Sequence, residues 1–276
     1  MRFCRKCKNS FSLWLLRKQT MFDTHNHCEF SCDSKMTLQQ AAEAAAQLGI
    51  GMILTEHWDY EYPTNPEQFL FDRDAYFKKN LPLRSDKVLL GIEVGMQPHL
   101  AEKEDRVAEG YPFDFVIGSI HMMNRLDLYE KTTYKGLSKE ETMRNFLRDS
   151  ILCAESHDNF DSFGHIDYIC RYWPYEDKEF HVKQNRQEWD RLFTILIEKN
   201  KPIEINTRRL DSEAAVKALL PLYKRYKELG GRYCTLGSDA HYTEHIGRRL
   251  GVAAAIAKEA ELQPVYFKER KMMLDR

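Results

Sequence analysis

Met21-Phe22-Asp23-Thr24-His25-Asn26-His27 opens the readable part of the chain, and Cys28-Glu29-Phe30-Ser31-Cys32-Asp33 follows it. In a short strand, alternation puts His25 and His27 on one side, where both imidazoles can converge on one metal ion. A lone His-x-His is as often a pair of polar residues at a strand end. Its meaning depends on whether similar strand ends recur.

They do recur. Runs rich in Ile, Val, Leu or Phe at residues 21–27, 51–57, 87–96, 113–121, 162–169, 202–207 and 233–241 read as seven strands. Helix-like stretches lie between them at 37–48, 101–109, 138–157, 182–199, 212–229 and 244–260, with a weaker one at 71–80. Thr37 and Gly49 give the first helix its start and stop, and Ser212 and Gly230 bracket another. Strand-helix repetition of this kind implies parallel strands with right-handed crossovers. Seven of them predict an α/β chain closed, or nearly closed, as a TIM-like (β/α)7 barrel.

The 276 residues hold 43% hydrophobic residues, ample for one large core. No apolar run approaches the roughly 18 residues of a membrane span, so no membrane partner is expected. Seven irregularly spaced cysteines do not read as a disulfide framework, which places the chain in a reducing cytoplasm. The first twenty residues carry six Lys/Arg and no acid, leaving 35 bases against 42 acids in the remainder. Residues 1–20 are therefore read as a basic extension outside the fold and 21–276 as one domain. Cys4-x-x-Cys7 has no second cysteine pair nearby to complete a zinc site. An acidic domain also argues against a nucleic-acid partner, which wants a clustered basic face.

Active sites of such barrels lie where strands give way to loops at the C-terminal face. Six of the ten histidines fall there: His25, His27, His57, His121, His165 and His241. Asp33, Glu93 and Asp239 join them, while Glu56 points away from His57 in a regular strand and is read as a supporting residue. His99, His157, His181 and His245 are read as surface residues. Nine nitrogen and carboxylate ligands exceed the need of one four- or five-coordinate ion, so a multinuclear transition-metal centre is expected.

His25-x-His27, Thr55-Glu56-His57, Gly91-Ile92-Glu93, Gly118-Ser119-Ile120-His121, Gly164-His165-Ile166-Asp167 and Gly237-Ser238-Asp239-Ala240-His241 resemble the polymerase-and-histidinol-phosphatase (PHP) superfamily. Glu204-Ile205-Asn206-Thr207 and the stretch from Tyr266 to Lys271 resemble its histidinol-phosphate phosphatase branch. The resemblance implies a distorted barrel of seven strand-helix units and three divalent transition-metal ions, of zinc, iron or manganese. His25, His27 and Asp239 would hold one ion, and His121 and His165 a second, with Glu93 bridging the two. Asp33, His57 and His241 would hold the third.

The reaction expected from this set is phosphate-monoester hydrolysis, with a metal-bridging hydroxide as nucleophile and Asp33 or His241 helping the leaving alkoxide. The substrate of the branch is L-histidinol phosphate, in histidine biosynthesis. Arg171, Arg208 and Arg209 are the candidate phosphate-binding residues, each with the ordinary alternative of a solvated loop charge. Trp58, Tyr60, Tyr62, Tyr172, Trp173 and Tyr175 either wall the pocket or pack the loops, and packing is favoured. The alternatives are another small phosphate monoester or phosphotyrosine as substrate, and a non-catalytic metal-binding module.

Overall fold

The computed structural model describes residues 21–275. The basic extension, with Cys4 and Cys7, lies outside the described residues. In chain order the elements begin β1 (Phe22–Asp23), α1 (Leu38–Leu48), β2 (Gly51–Trp58), α2 (Arg73–Asn80), β3 (Val88–Gly95), α3 (Ala101–Glu104) and β4 (Phe115–Ser119). They continue with β5 (Met122–Met123), β6 (Leu126–Asp127), α4 (Lys139–Ser156), β7 (Ser162–Phe163), α5 (Arg186–Glu198) and β8 (Ile203–Asn206). The last are α6 (Glu213–Glu228), β9 (Tyr233–Gly237), α7 (Leu250–Glu259), β10 (Gln263–Lys268) and β11 (Lys271–Leu274).

Parallel ladders run β1-β2-β3-β4-β7-β8-β9-β10, and β11 pairs antiparallel with β10. The chain is thus an α/β fold around a central, mainly parallel sheet. All seven expected strands are present, the fifth cut to two residues, with a 3-10 turn at Tyr168–Arg171 where the strand was expected to continue. Thr37 caps α1 in a reciprocal box with Gln40, and Gly49 ends it at φ 70°. Three helices are clearly shorter than expected, α5 beginning only at Arg186. α3 stops after four residues, and α7 begins only at Leu250 because Gly247 and Arg249 take φ 68° and 59°. Among the described residues no helix is long and apolar enough to cross a membrane, and Cys28, Cys32, Cys153, Cys170 and Cys234 are free thiols.

Register decides where the site sits. Ile53 pairs with Leu89, Gly91 with Phe115 and Glu93 with Ile117, so these side chains share one face of β2, β3 and β4. Towards the strand starts that face is apolar: Phe22, Ile53, Leu89, Phe115 and Ile117 form a small core with Val265 and Phe267 of the terminal hairpin. Further along, the same face carries His57, Glu93 and Ser119. The opposite face, with Met52, Leu54, Leu90, Ile92, Val94 and Val116, belongs to the main core shared with the helices. Glu56 lies on this second face, as alternation predicts.

β1 is short, but the chain beyond it stays bonded on both flanks. On one flank Thr55 N–H donates to Asn26 O at 2.7 Å. On the other, Thr24 N–H donates to Leu236 O (2.8 Å), Asp239 N–H to His25 O (2.9 Å) and His27 N–H to Ala240 O (2.8 Å). The Asp23 carboxylate accepts N–H bonds from Ser238 and Gly247, both 2.8 Å, fastening the same seam.

His157 is not a surface residue. It is 1% exposed, and its Nε2 lies 2.7 Å from the buried Glu104 carboxylate, which ties the end of α4 to α3.

The terminal hairpin fills the sheet floor, so truncating it opens a cavity there. Phe267→Ala, which removes a ring stacked on Phe115 at 5.3 Å, should cost about 3–5 kcal/mol in denaturant unfolding. A loss under about 1 kcal/mol would mean that the floor collapses around the gap.

Candidate metal centre

Each strand end delivers its ligand to one buried cluster. β2 brings His57, β3 Glu93, the residue pairs after β4 and β7 bring His121 and His165, and the loop after β9 brings Asp239 and His241. His25 and His27 flank Asn26, which bridges Ala240 in parallel and whose carboxamide bonds to Asp23 O and Ile53 O, fixing the extended segment that carries both rings. Asp239 sits at φ 55°, a left-handed conformation that Asp tolerates better than most residues. That kink presents both its carboxylate and its carbonyl to the centre.

Glu93 is the hub, with no exposed surface. Its Oε1 lies 2.9 Å from His165 Nε2, 3.2 Å from His25 Nε2 and 3.3 Å from His121 Nε2. Its Oε2 lies 2.9 Å from His57 Nδ1 and 3.5 Å from His27 Nε2. Asp239 Oδ1 is 3.5 Å from His27 Nε2, and Asp33 Oδ2 is 3.2 Å from His241 Nε2 and 3.6 Å from His57 Nε2. All nine expected ligands therefore lie in one continuous cluster.

Oxygens behind the rings choose the tautomers. His25 Nδ1 faces Glu204 Oε1 at 2.8 Å, His121 Nδ1 faces Asp59 Oδ1 at 2.7 Å, and His241 Nδ1 faces the Asp239 carbonyl at 3.0 Å. His27 Nδ1 faces Ser31 Oγ at 3.3 Å, and that hydroxyl donates its own proton to Glu56. With Nδ1–H given to these oxygens, each ring in its neutral form has its Nε2 lone pair left for the cluster. The consequence is a crowd of acceptors: His25 Nε2 and His27 Nε2 stand 3.0 Å apart, and His121 Nε2 and His165 Nε2 3.4 Å.

This donor set fits metal ions. Lone pairs facing one another repel unless a cation stands between them, and buried Glu93 Oε2, His57 Nδ1 and Asp59 Oδ2 have no hydrogen-bond partner. Three overlapping groups are tight enough to hold an ion: His25, His27 and Glu93; His57, Glu93 and His121; His27, His57 and His241. Burial pushes the Glu93 and Asp239 carboxyls up. In the metal-free chain the positive groups around them, protonated His25, His121 and His57 for the first and Arg171 and His25 for the second, prevail and hold both well below the usual range, and burial is likewise outweighed at those three histidines, which the neighbouring acids push up. Burial lowers His27 and His165, which keeps those rings neutral.

A cavity of about 190 Å³ opens over the cluster, lined among others by Arg171, Arg208, Tyr168, Tyr172 and Tyr242. Arg171 donates to Asp239 Oδ2 at 2.6 Å and Asn206 Oδ1 at 3.0 Å, and lies over the Tyr168 ring. Arg208 donates to the Asp239 carbonyl at 2.9 Å. Arg209 does not join them: its guanidinium is taken up by Asp167 (3.1 Å) and Glu179 (2.6 Å), away from the cavity. Of the six aromatic candidates only Tyr172 lines the cavity, and Trp58 and Trp173 are buried packing residues. Sequence reasoning missed Asp59, Tyr168 and Tyr242, and took Glu204 as a mark of the branch without giving it a role. Asp59 was detectable, two positions beyond His57 on the same side of the strand.

Residues 23–208 match the PHP domain family. The chain is 44% identical over 252 residues to a probable histidinol-phosphatase of Clostridium acetobutylicum, covering 91% of this chain and 98% of that one. It is 31% identical over 245 residues to a histidinol-phosphatase of Lactococcus lactis, covering 86% and 90%. The crystal structure of histidinol phosphate phosphatase from Lactococcus lactis, complexed with zinc, L-histidinol and phosphate, superposes with TM-score 0.87 at 29% identity. It covers 92% of this chain and 99% of that one.

Ions that bind only the folded chain stabilise it. Dialysis against a strong chelator should lower the melting temperature and zinc should restore it, and His121→Ala should bind zinc at least about 10–100-fold more weakly. A melting temperature indifferent to both treatments would remove the metal reading.

Proposed function

The chain belongs to the PHP domain family, in its histidinol-phosphatase branch, and we propose that it hydrolyses L-histidinol phosphate to L-histidinol and phosphate. What most supports this substrate is the match along nearly the whole length of histidinol-phosphatases, one of them crystallised with histidinol and phosphate. We read residues 21–276 as a single domain. The bonds from Thr24, His27 and Asp239 across β1 and β9 are, on this reading, the seam that closes a distorted seven-stranded barrel.

We assign three ions to the cluster: one to His25, His27, Asp239 and Glu93, a second to Glu93, His121 and His165, a third to Asp33, His57 and His241. When bound, such ions supply positive charge to the phosphoryl oxygens and lower the pKa of a water nearby. The protein's own groups do the rest. Arg171 is held by Asp239 and Asn206 and lines the cavity, where its guanidinium puts positive charge beside a phosphate. Arg208 lines the same cavity. Asp33 and His241, on the open side, are placed to assist the departing alkoxide. Tyr168, Tyr172 and Tyr242 shield the reacting end from bulk water and offer aromatic faces to the imidazole.

Phosphate release from metal-loaded protein tests the assignment. L-Histidinol phosphate should exceed p-nitrophenyl phosphate and sugar or nucleotide monophosphates in kcat/KM by at least about 100-fold, the scale of a site that pairs with polar groups of its substrate. Comparable turnover of all of them would keep the phosphatase chemistry and reject the substrate.

The arginines divide as their partners do. Arg208→Ala should raise KM about tenfold or more, whereas Arg209→Ala should leave KM near wild type and act only on stability. Equal kinetic losses in both would contradict this division.

A further inference from the structure

Glu204 lies on β8 between the core residues Ile203 and Ile205, has no exposed surface, and does not line the cavity over the cluster. Both of its carboxylate oxygens are nevertheless taken up by the site. Oε1 meets His25 Nδ1 at 2.8 Å, while Oε2 accepts the backbone N–H of His165 at 2.7 Å and the Asn206 carboxamide at 3.2 Å. Asn206 Oδ1 in turn accepts from Arg171 Nη2 and from the backbone N–H of Arg208, both at 3.0 Å. The neighbouring strand leaves room for this carboxylate: a Cβ at Gly237 would stand 2.1 Å from Glu204 Oε1 and 2.5 Å from His25 Cβ. Asp59, which supports His121, is a simpler case, with one oxygen on the ring and the other without a partner.

We propose that Glu204 is the positioning residue of the centre, setting the tautomer of His25, the place of the backbone that carries His165 and, through Asn206, the orientation of Arg171. The proposal rests on the metal-phosphatase reading above. Oε1 takes the Nδ1 proton, and His25 is thereby committed to offering Nε2 to the cluster. The same carboxylate fixes a ligand of each of the two ions that share Glu93, together with the guanidinium that faces the phosphate. One buried acid coordinates metal affinity with anion binding.

Glutamine cannot replace it. The amide has the same shape but one acceptor oxygen, and all three partners are donors, so an NH2 group would face either His25 Nδ1–H or His165 N–H. Glu204→Gln should therefore yield its zinc at chelator concentrations about 10–100-fold lower than wild type does. It should also alter the visible absorption of the cobalt-loaded protein, which reports ligand geometry, and raise KM for the phosphate ester.

A merely structural role would lower the stability of the metal-free chain and leave the cobalt spectrum and zinc retention of the loaded protein unchanged. That result would overturn the proposal. If Glu204→Gln does not fold, Asn206→Ala decides. It keeps both strong bonds of Glu204 and removes the strut to Arg171, and should raise KM with a smaller loss of zinc retention. Unchanged KM and zinc retention there would also overturn the proposal. Wild-type protein that binds neither zinc nor cobalt would refute the metal reading itself, and this inference with it. Wild type that binds both, beside a variant indistinguishable from it, refutes the inference alone.

Discussion

A fully buried carboxylate ringed by imidazoles is the constraint on which the rest of the structure turns. Glu93 has no access to water, and five histidine nitrogens approach it within 3.5 Å. An ionised carboxylate in that position is tolerable only with positive charge beside it. Protonated histidines provide it in the metal-free chain, but three of the rings hold their Nδ1–H on oxygens outside the cluster, so an entering cation need displace only the inner proton to meet an Nε2 lone pair. The charge that those protons give up is the charge that metal ions bring.

The fold supports this cluster by dividing single strands along their length. β2, β3 and β4 use one face for two purposes, apolar packing near their starts and ligands near their ends. Because side chains alternate, a slip of one residue in any of these strands would move its ligand to the helix-covered side and its core residue off the floor. Register and site geometry are therefore one specification. Glu56 illustrates the other face: it turns away from the cluster and accepts from Cys28 N–H, Phe30 N–H and Ser31 Oγ–H, fixing the loop behind His27.

Much of this was legible in the sequence because periodicity is a local signal. Seven apolar runs each became a strand, and ligands at the run ends fell together because parallel strands share one C-terminal edge. What was not legible depends on partners distant in sequence. Arg209 looked like Arg208, and only the position of Asp167 and Glu179 diverts it. His157 follows a helix like any exposed histidine, but Glu104 buries it. The hairpin of β10 and β11 turns on Glu269 and Arg270, at φ 53° and 61°, where Asn-Gly or Asp-Gly would have announced it. Its turn is held instead by Asp114, which accepts from Glu269 N–H, and by Asp161, which receives Arg270. Glu204 shares its strand with Asn206, and no local pattern separates a supporting acid from an ordinary inward-facing one.

The stacking of Phe22 on Tyr266, with ring centroids 3.9 Å apart, joins the first described strand to the last hairpin, and Phe22 N–H donates to Asp275 at 3.0 Å. On a ribosome these partners are made in the opposite order to the one packing would prefer. At ~5–20 residues per second, Phe22 waits roughly 12–50 s for Tyr266. Until then Phe22 has only Ile53, Leu89, Phe115 and Ile117 of the floor to rest on, and the loop bearing Asp239 and His241 has not long emerged. The nascent chain thus holds His25 and His27 as part of an incomplete chelate for most of its synthesis, and Asp239 and His241 complete it only near the end of translation.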